Sequence, residues 1–387
     1  MLRVAFIFAH QDQQWLGGIH YLKNLLTALK DCPQAGVEPV ILCGRKAKKS
    51  LMEGFPPLET IETSLLDRRH PAWIARKILA KILGRDWLLE RLLRANGIRL
   101  LSHSDDLGPR AAIPTIGWIP DFQHNKLDGF FSDEVRAFRD RYFHRLGANC
   151  RRVVLSSENA RGDMALYLPA FVGKAGVLRF VDVSTPAFPE ILPLAELEKK
   201  YSFQGPFVHL PNQFWKHKNH GVVIEALAEL KKRGFPALVV ATGNTSDNRH
   251  PNYFPSLERR IAELGVADSF RILGLVPYRD LVSLMRHSRA LLNPSFFEGW
   301  STSVEEGKSL GKIVILSDIP VHREQAPPGG LYFRPDDPAE LAAHLAKALN
   351  PLGLPEAGAV KERAEREFAA RKQGFALAFG EIANGAV

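Results

Sequence analysis

The sequence predicts two α/β domains, each built on a doubly wound parallel sheet with helices on both faces. Short apolar runs rich in β-branched residues alternate with helical patterns along most of the chain. A proline-rich break divides these runs into two series, and the 387 residues suffice for two or three domains. No internal period of roughly 20–50 residues is present, which excludes solenoids and propellers.

The apolar runs predict the strands of both sheets. The first series gives the candidates Arg3–Ala9, Glu38–Cys43, Ile98–His103, Pro114–Ile119, Arg151–Ser156 and Gly176–Phe180. The second series gives Phe207–Leu210, Ala237–Thr242, Phe270–Leu273, Ala290–Asn293 and Ile313–Ser317.

The domain boundary is expected where prolines are dense and no strand period is visible. Three prolines lie within residues 184–205. The expected divisions are an N-terminal domain (1–185), a linker (186–205), a C-terminal domain (206–360) and a final helix (361–387) that packs back on the N-terminal domain. Because ligands bind beyond the carboxyl ends of the strands of open parallel sheets, two facing domains predict a cleft between those edges.

The composition is that of a soluble globular chain with 45% apolar and 24% charged residues and a formal net charge of +9. No apolar run approaches the roughly 18 residues that a spanning helix needs, and the opening stretch Leu2–Ala9 lacks the basic lead and cleavage site of a signal peptide. The three scattered cysteines indicate neither a disulfide framework nor a zinc site. A cytoplasmic setting is therefore expected.

Much of the positive charge lies in one segment, Arg68–Arg99, which holds nine basic residues against two acidic ones. Apolar residues recur through it near the helical period, with cations on the other face. This pattern is typical of a helix on an anionic membrane surface at the inner membrane face. An ordinary amphipathic helix, buried on one side, is the alternative. Nucleic acid is the less favoured partner because zinc-finger spacing, RNA-binding aromatics and basic repeats are absent.

The sequence lacks the motifs of dinucleotide oxidoreductases, P-loop proteins, zincin proteases and metal-held diphosphate sites. The chain has no GxGxxG after the first strand, no GxxxxGK[ST] loop, no HExxH and no Asp-x-Asp pair, so we expect neither a resident cofactor nor a metal. Gly17 and Gly18 precede a helical pattern after the first strand, where backbone N–H groups favour an anion. A glycine pair of this kind is equally often only a tight turn.

A stronger cluster follows the strand that ends at Asn293. A glycine-containing loop leads through Ser/Thr cap residues into a helix, with Glu298 before the loop and Glu306 inside the helix. The backbone N–H groups of residues 299–303 are placed to bind a diphosphate, and the two carboxylates are placed to accept hydrogen bonds from hydroxyls. A capping or solvated role is the alternative for Glu306.

The C-terminal half resembles the E-x7-E glycosyltransferases of the retaining GT-B class (glycosyltransferase group 1, family 4). The residues that carry the resemblance are Leu273–Pro277, Leu281, Asn293–Ser295, Glu298-Gly299, Glu306, Gly311 and Ser317–Pro320. In the N-terminal half, Gly17-Gly18 matches the glycine loop of the family and Ser157-Glu158 matches its "S-E" motif. The resemblance implies a GT-B fold, with two Rossmann-like domains facing each other across a cleft.

The resemblance also implies roles for individual residues. Glu298 matches the glutamate that holds the hydroxyls of the donor sugar, and Glu306 matches the one that holds the ribose. Val276 lies where the family's backbone meets the base, and Lys218 matches the lysine that neutralises the diphosphate. The remaining donor-binding residues are Gly17 and Gly18 with the diphosphate cradle Gly299, Trp300, Ser301, Thr302 and Ser303.

The chain departs from the family at the arginine that normally stands five or six residues before the lysine. Asn212 and Gln213 occupy those positions. Lys216, Arg179 or the helix dipole is expected to supply the second positive charge.

The acceptor side is expected after the strand that ends at Ile119. Asp121 is a candidate to orient the acceptor hydroxyl, and His124 is a candidate proton acceptor or hydrogen-bond donor. His103, after the preceding strand, is the rival histidine.

Together these features predict transfer of a hexose from a nucleotide-diphosphate sugar to a glycan hydroxyl without a metal, and the resemblance implies that transfer retains the anomeric configuration. The basic segment suggests a lipid-linked or lipopolysaccharide acceptor, as in O-antigen or capsule assembly, and a protein that is cytoplasmic or peripheral at the inner membrane face. Two alternatives stay open. One is a sugar-nucleotide epimerase of the same fold, and the other is a catalytically silent nucleotide-sugar-binding partner.

Overall fold

The computed structural model describes residues 1–8, 16–47, 54–104, 106–188, 190–350, 353–354 and 357–387. Within these residues the chain forms two parallel sheets. The first sheet, in the order β3-β2-β1-β4-β5-β6-β7, contains β1 (Leu2–Phe8), β2 (Val37–Cys43), β3 (Thr60–Glu62), β4 (Leu100–Ser102), β5 (Thr115–Ile119), β6 (Arg152–Leu155) and β7 (Ala175–Val177).

The second sheet has the order β10-β9-β8-β11-β12-β13. Its strands are β8 (Val208–Pro211), β9 (Val239–Thr242), β10 (Phe270–Gly274), β11 (Ala290–Asn293), β12 (Val314–Ser317) and β13 (Leu331–Phe333). In each sheet the strand order reverses once, between β1 and β4 and between β8 and β11. Loops diverge at such a reversal, which makes it the usual ligand site of a doubly wound sheet.

Helices connect the strands and cover the sheets. They are α1 (Leu16–Asp31), α2 (Pro71–Leu83), α3 (Trp87–Ala95), α4 (Gln123–Lys126), α5 (Asp133–Asn149), α6 (Glu158–Tyr167), α7 (Leu194–Tyr201), α8 (His220–Lys232), α9 (Tyr253–Leu264), α10 (Tyr278–His287), α11 (Thr302–Leu310), α12 (Pro320–Gln325), α13 (Pro338–Leu349) and α14 (Ala357–Asn384). None of these helices is both long and apolar enough to cross a membrane.

The predicted strands are confirmed, with shifts at their ends. The central strands β1, β4, β8 and β11 are apolar throughout or nearly so because helices cover both faces of their sheets. The sequence reading missed β3 and β13, which are three-residue strands at sheet edges. Runs this short carry almost no periodic signal.

Contacts divide the chain into two compact units. The first contains residues 1–122, 133–181 and 370–387, and the second contains 123–132 and 182–369. Residues 123–132 therefore join the second unit although they precede it in the chain. Helix α14 continues from the second unit into the first.

The proline-rich segment 186–205, expected as a linker, carries helix α7 within the second unit. Leu197 on this helix is fully buried in a cluster with Leu192 and Phe207. The side chain of Asp280 accepts hydrogen bonds from Lys200 at 2.6 Å and from Tyr201 at 2.5 Å. The prolines thus mark the entry to a packed helix.

The basic segment is two helices, which corrects the expected single one. Gly84 ends α2 in the left-handed conformation at φ 66°, and the side chain of Asp86 caps α3 by accepting from the Leu89 N–H at 3.3 Å. Helix α3 buries Leu89 and Leu93 in the core of the first unit.

Candidate functional site

The candidate site lies at the strand-order reversal of the second sheet, where β8 and β11 are neighbours. The loop after β8 carries Lys218, and the loop after β11 carries Glu298 and leads into α11. The Ser301 side chain caps α11 by accepting a hydrogen bond from the Val304 N–H at 3.4 Å. The sheet topology therefore brings together two loops that are far apart in the sequence.

Hydrogen bonds to backbone carbonyls fix the two loops to each other. Asn219 adopts a left-handed conformation at φ 55°, and its side-chain amide donates to the carbonyls of Pro294 at 3.1 Å and Pro335 at 2.8 Å. The Phe296 N–H donates to the His217 carbonyl at 2.8 Å. These bonds position Lys218 beside the β11 loop.

Glu298 is a buried carboxylate with several hydrogen-bond donors around it. Its Oε1 atom accepts from Lys218 Nζ at 2.7 Å, from Ser295 Oγ at 2.7 Å and from Asn293 Nδ2 at 3.4 Å. Burial raises the pKa of Glu298, but the charge and hydrogen bond of Lys218 together with the charges of His322 and His217 outweigh burial and lower that pKa to about 2. Glu298 is therefore ionised at neutral pH.

Asn293 connects the loop to the start of α11. Its Nδ2 donates to Ser301 Oγ at 2.6 Å and to Ser303 Oγ at 3.2 Å, and its Oδ1 accepts from Ser295 Oγ at 2.6 Å. The sequence reading assigned Asn293 no role. A polar residue at the end of the apolar strand β11 was the available signal.

Gln325, at the end of α12, is a second residue that sequence reasoning missed. Its Oε1 accepts from the Ser301 N–H at 3.1 Å, and its Nε2 donates to the Ser301 carbonyl at 3.0 Å and to Glu305 Oε1 at 3.1 Å. The N–H of Ser301, expected in the diphosphate cradle, is thus already bonded within the chain. No local pattern pointed to Gln325, because it reaches this loop only through the fold.

Two buried histidines flank Glu298. Burial lowers the pKa of His217 well below its ordinary value and lowers the pKa of His322 to about 4. His322 Nδ1 donates to the Ser317 carbonyl at 2.8 Å. Both rings are therefore neutral at pH 7, and Lys218 supplies the positive charge next to Glu298.

Asn212 and Gln213, which occupy the positions of the family's arginine, form hydrogen bonds within the second unit. Gln213 Oε1 accepts from the Asn244 N–H at 2.7 Å, and Asn212 Nδ2 donates to Asn293 Oδ1 at 3.4 Å. Of the expected substitutes, Lys216 places its Nζ 4.6 Å from the centre of the Phe130 ring. Arg179 lies in the first unit.

Glu306 and Val276 lie in the second unit as well. Glu306 is buried on α11, and its charge is among the causes, after burial, that raise the pKa of Tyr278. The Tyr278 hydroxyl is 2.9 Å from Thr185 Oγ1. Val276 is half-buried just before α10, next to the exposed Leu275. Gly299, Trp300 and Thr302 are half-buried, and Ser303 is buried.

The glycine pair of the first unit lies inside the first turn of α1 rather than before the helix. Gly17 is exposed and Gly18 is buried. The rest of the expected glycine loop, residues 9–15, lies outside the described residues.

The acceptor candidates fall in different units. Asp121 is half-buried after β5 in the first unit, whereas His124 is fully buried on α4 in the second. The rival His103 is part of the core, with Nε2 at 2.8 Å from the Tyr21 hydroxyl and Nδ1 at 2.8 Å from Ser102 Oγ. Burial lowers the pKa of His103 to about 3, so its ring stays neutral.

Sequence comparison connects this site to a known family. Residues 198–366 match the family described as "Glycosyl transferases group 1". The chain is also 32% identical over 125 residues to the O-antigen chain mannosyltransferase RfbU of Salmonella typhimurium, a match that covers 32% of this chain and 33% of that protein. The chain thus spans about a third of the length of this curated relative.

Solved structures resemble the whole fold. A glycosyltransferase from Rickettsia africae ESF-5 aligns with a TM-score of 0.67 at 18% identity, covering 98% of this chain and 97% of that one. The Anabaena protein HepE, solved with UDP and glucose, aligns with a TM-score of 0.68 at 14% identity, covering 98% and 100%. Residues 198–366 therefore resemble the group 1 glycosyl transferases in sequence, and the chain as a whole has the GT-B fold of these solved structures.

Proposed function

We propose that this protein is a retaining glycosyltransferase that moves a hexose from a nucleotide-diphosphate sugar to a hydroxyl group of a glycan. The observation that carries the proposal is the largely buried Lys218–Glu298 ion pair at the strand-order reversal, directly before the N-terminus of α11. A cation, a carboxylate and a helix N-terminus at one place suit a ligand that combines a diphosphate with sugar hydroxyls.

Each group has a part in binding the donor. Lys218 Nζ has three N–H donors, one of which bonds to Glu298 Oε1, so the others can contact the diphosphate. The carboxylate of Glu298 can accept further hydrogen bonds, and these come from the hydroxyls of the hexose. Glu306, deeper on α11, accepts from the ribose, and the backbone near Val276 meets the base. Gly17 and Gly18, in the first turn of α1, are further donor-binding residues of this proposal.

Transfer breaks the bond between the anomeric carbon and the phosphate oxygen and forms a bond to the acceptor oxygen on the same face of the sugar. Negative charge develops on the leaving diphosphate, which takes the acceptor proton. Lys218 and the N-terminus of α11 stabilise that charge, and they act more strongly in the transition state than in the ground state. These groups let transfer proceed without a metal ion. Asp121, which is half-buried after β5, orients the acceptor hydroxyl.

The acceptor is a lipid-linked or lipopolysaccharide glycan in O-antigen or capsule assembly. The name of RfbU, an O-antigen chain mannosyltransferase, supports this choice and makes mannose the first hexose to test. The protein then works in the cytoplasm, peripheral to the inner membrane face that carries such acceptors.

Nucleotide release tests the proposal. Purified protein is given UDP-, GDP-, dTDP- and ADP-sugars, with and without a membrane-glycan extract, in the presence of EDTA. We expect one nucleoside diphosphate to be released, dependent on the extract, with the sugar recovered on the glycan in its original anomeric configuration. An altered free sugar would indicate the epimerase. Tight diphosphate binding without release from any donor would indicate the silent binding partner.

A further inference from the structure

Helix α2 in the first unit exposes a row of large apolar side chains. Ile74, Ile78 and Ile82 follow one another at intervals of four residues and are 44%, 55% and 70% exposed. Residues at this spacing lie along one side of a helix. Leu83, the last residue of α2, and Trp87, the first residue of α3, are exposed as well. Soluble proteins rarely expose so continuous an apolar surface unless it binds something.

Positive charges accompany this row. Lys77 and Lys81 are exposed on the same side of α2, and Arg68 and Arg69 are exposed just before the helix. Residues 68–85 contain no aspartate or glutamate. The surface therefore combines an apolar stripe with cations along its whole length.

The remaining cation of the helix has a different role. Arg76 is buried, and its guanidinium bonds to Asp86 at 2.7 Å and to the Leu65 carbonyl at 3.0 Å. This arginine attaches the opposite side of α2 to the rest of the first unit. The isoleucine row is therefore held facing outward by an internal ion pair.

We propose that the outward face of α2, defined by Ile74, Lys77, Ile78, Lys81 and Ile82, is a docking surface for an anionic lipid bilayer. The isoleucines enter the boundary between headgroups and acyl chains, and the lysines contact lipid phosphates. Charge complementarity selects this occupant. A second copy of the chain would bring the same cations together across the interface and repel itself.

This inference deepens the proposed function. The reason for membrane docking rests on that function, but the docking itself does not. A lipid-linked acceptor is confined to a membrane, so a docked enzyme meets it at a high local concentration. The binding itself needs neither donor nor catalysis. It can therefore be measured independently of transfer.

The test is flotation of the full-length protein with vesicles of phosphatidylcholine alone or of equal parts phosphatidylcholine and phosphatidylglycerol. We expect binding to the anionic vesicles to be at least about tenfold tighter, and to weaken as salt is raised, because each basic residue near the surface adds to the attraction. Equal binding to both kinds of vesicle, or to neither, would overturn the proposal.

Two double variants test the surface itself. Ile78→Asp with Ile82→Asp removes the apolar stripe, and Lys77→Glu with Lys81→Glu reverses its charge. Each should lower affinity for anionic vesicles at least about tenfold, while circular dichroism stays unchanged because these side chains are exposed. If both bind vesicles as the unmodified protein does, the surface assignment is wrong.

Matched controls separate this face from exposed residues elsewhere. Leu166→Asp replaces an apolar side chain that is 66% exposed in the first unit, and Lys30→Glu with Arg151→Glu reverses two exposed charges there. The controls should bind vesicles normally. A dimer in light scattering that the α2 variants convert to a monomer would identify a second copy as the occupant and overturn the lipid assignment. Loss of vesicle binding with normal donor turnover on a detergent-dispersed acceptor would leave the proposed function intact.

Discussion

Glu298 is a carboxylate that keeps its charge through neighbouring side chains rather than through water. Burial opposes ionisation, but Lys218 at 2.7 Å and the hydroxyl of Ser295 at 2.7 Å stabilise the anion. A carboxylate fixed in this way has a defined direction for further hydrogen bonds. That property suits recognition of sugar hydroxyls, whose geometry distinguishes one hexose from another.

The two glutamates should affect different kinetic constants. Glu306→Gln should raise the KM for the donor about 5- to 150-fold with little change in kcat, because a contact to the ribose is made equally before and during the reaction. Glu298→Gln should mainly lower kcat, by a similar factor, because its hydrogen bonds hold the sugar as charge develops. Initial rates of nucleotide release over a range of donor concentrations measure both.

Glu258→Gln, an exposed change on α9, is the matched control and should leave both constants unaltered. Wild-type kinetics in both site variants would show that the donor binds elsewhere.

At the scale of elements, the loop between β11 and α11 depends on a residue from α12. Gln325 is buried, and its side-chain amide forms hydrogen bonds with the N–H and the carbonyl of Ser301 and with the carboxylate of Glu305. At the start of α11, the Gln325 side chain thus supplies the hydrogen-bond partners of the Ser301 backbone that a neighbouring backbone segment would otherwise supply. The orientation of the α11 N-terminus therefore depends on packing of α12.

Gln325→Ala should destabilise the protein by about 1–3 kcal/mol, because it leaves buried polar groups of Ser301 and Glu305 without this partner. The donor KM should rise with the loss of a fixed helix start. Denaturant unfolding and donor kinetics are the measurements. Gln373→Ala, an exposed change on α14, is the control and should alter stability by less than about 0.5 kcal/mol. Equal stability of the two variants would contradict the role of Gln325.

At the scale of the whole molecule, the final helix contributes to both units. Its last part, within residues 370–387, buries Phe375 and Phe379 in the first unit. The Phe379 ring lies 5.6 Å from the ring of Phe6 on β1 and 5.9 Å from that of His103. The core of the first unit thus includes residues that follow the second unit in the sequence.

Phe379→Ala should destabilise the first unit by about 3–5 kcal/mol, since it removes a fully buried ring from a close-packed core. Hydrogen exchange with peptide mapping should show lost protection in β1 and β4 and unchanged protection in β8 and β11. Phe138→Ala, at an exposed phenylalanine, is the control. Equal loss of protection in both units would show that the helix end does not act on the first unit alone.

The sequence determined the features that depend on near neighbours. The apolar runs specified both sheets because a strand buried on two faces must be apolar over its whole length. The turn from β11 into α11, with Glu298 and Glu306 on either side of the cap, was readable because capping is encoded within a few residues. Gly84 and Asp86 carried the signals for the break between α2 and α3, but the longer amphipathic pattern concealed it.

Only the tertiary structure decided which distant residues meet. Lys218 and Glu298 are 80 positions apart, and Ser301 and Gln325 are 24 apart. These pairs depend on the strand order that makes β8 a neighbour of β11, and on the return of α12 to the start of α11. The same holds for His103, whose ring nitrogens bond within a core that α14 completes. Local periodicity carries no record of strand order, because many orders bury the same apolar runs equally well.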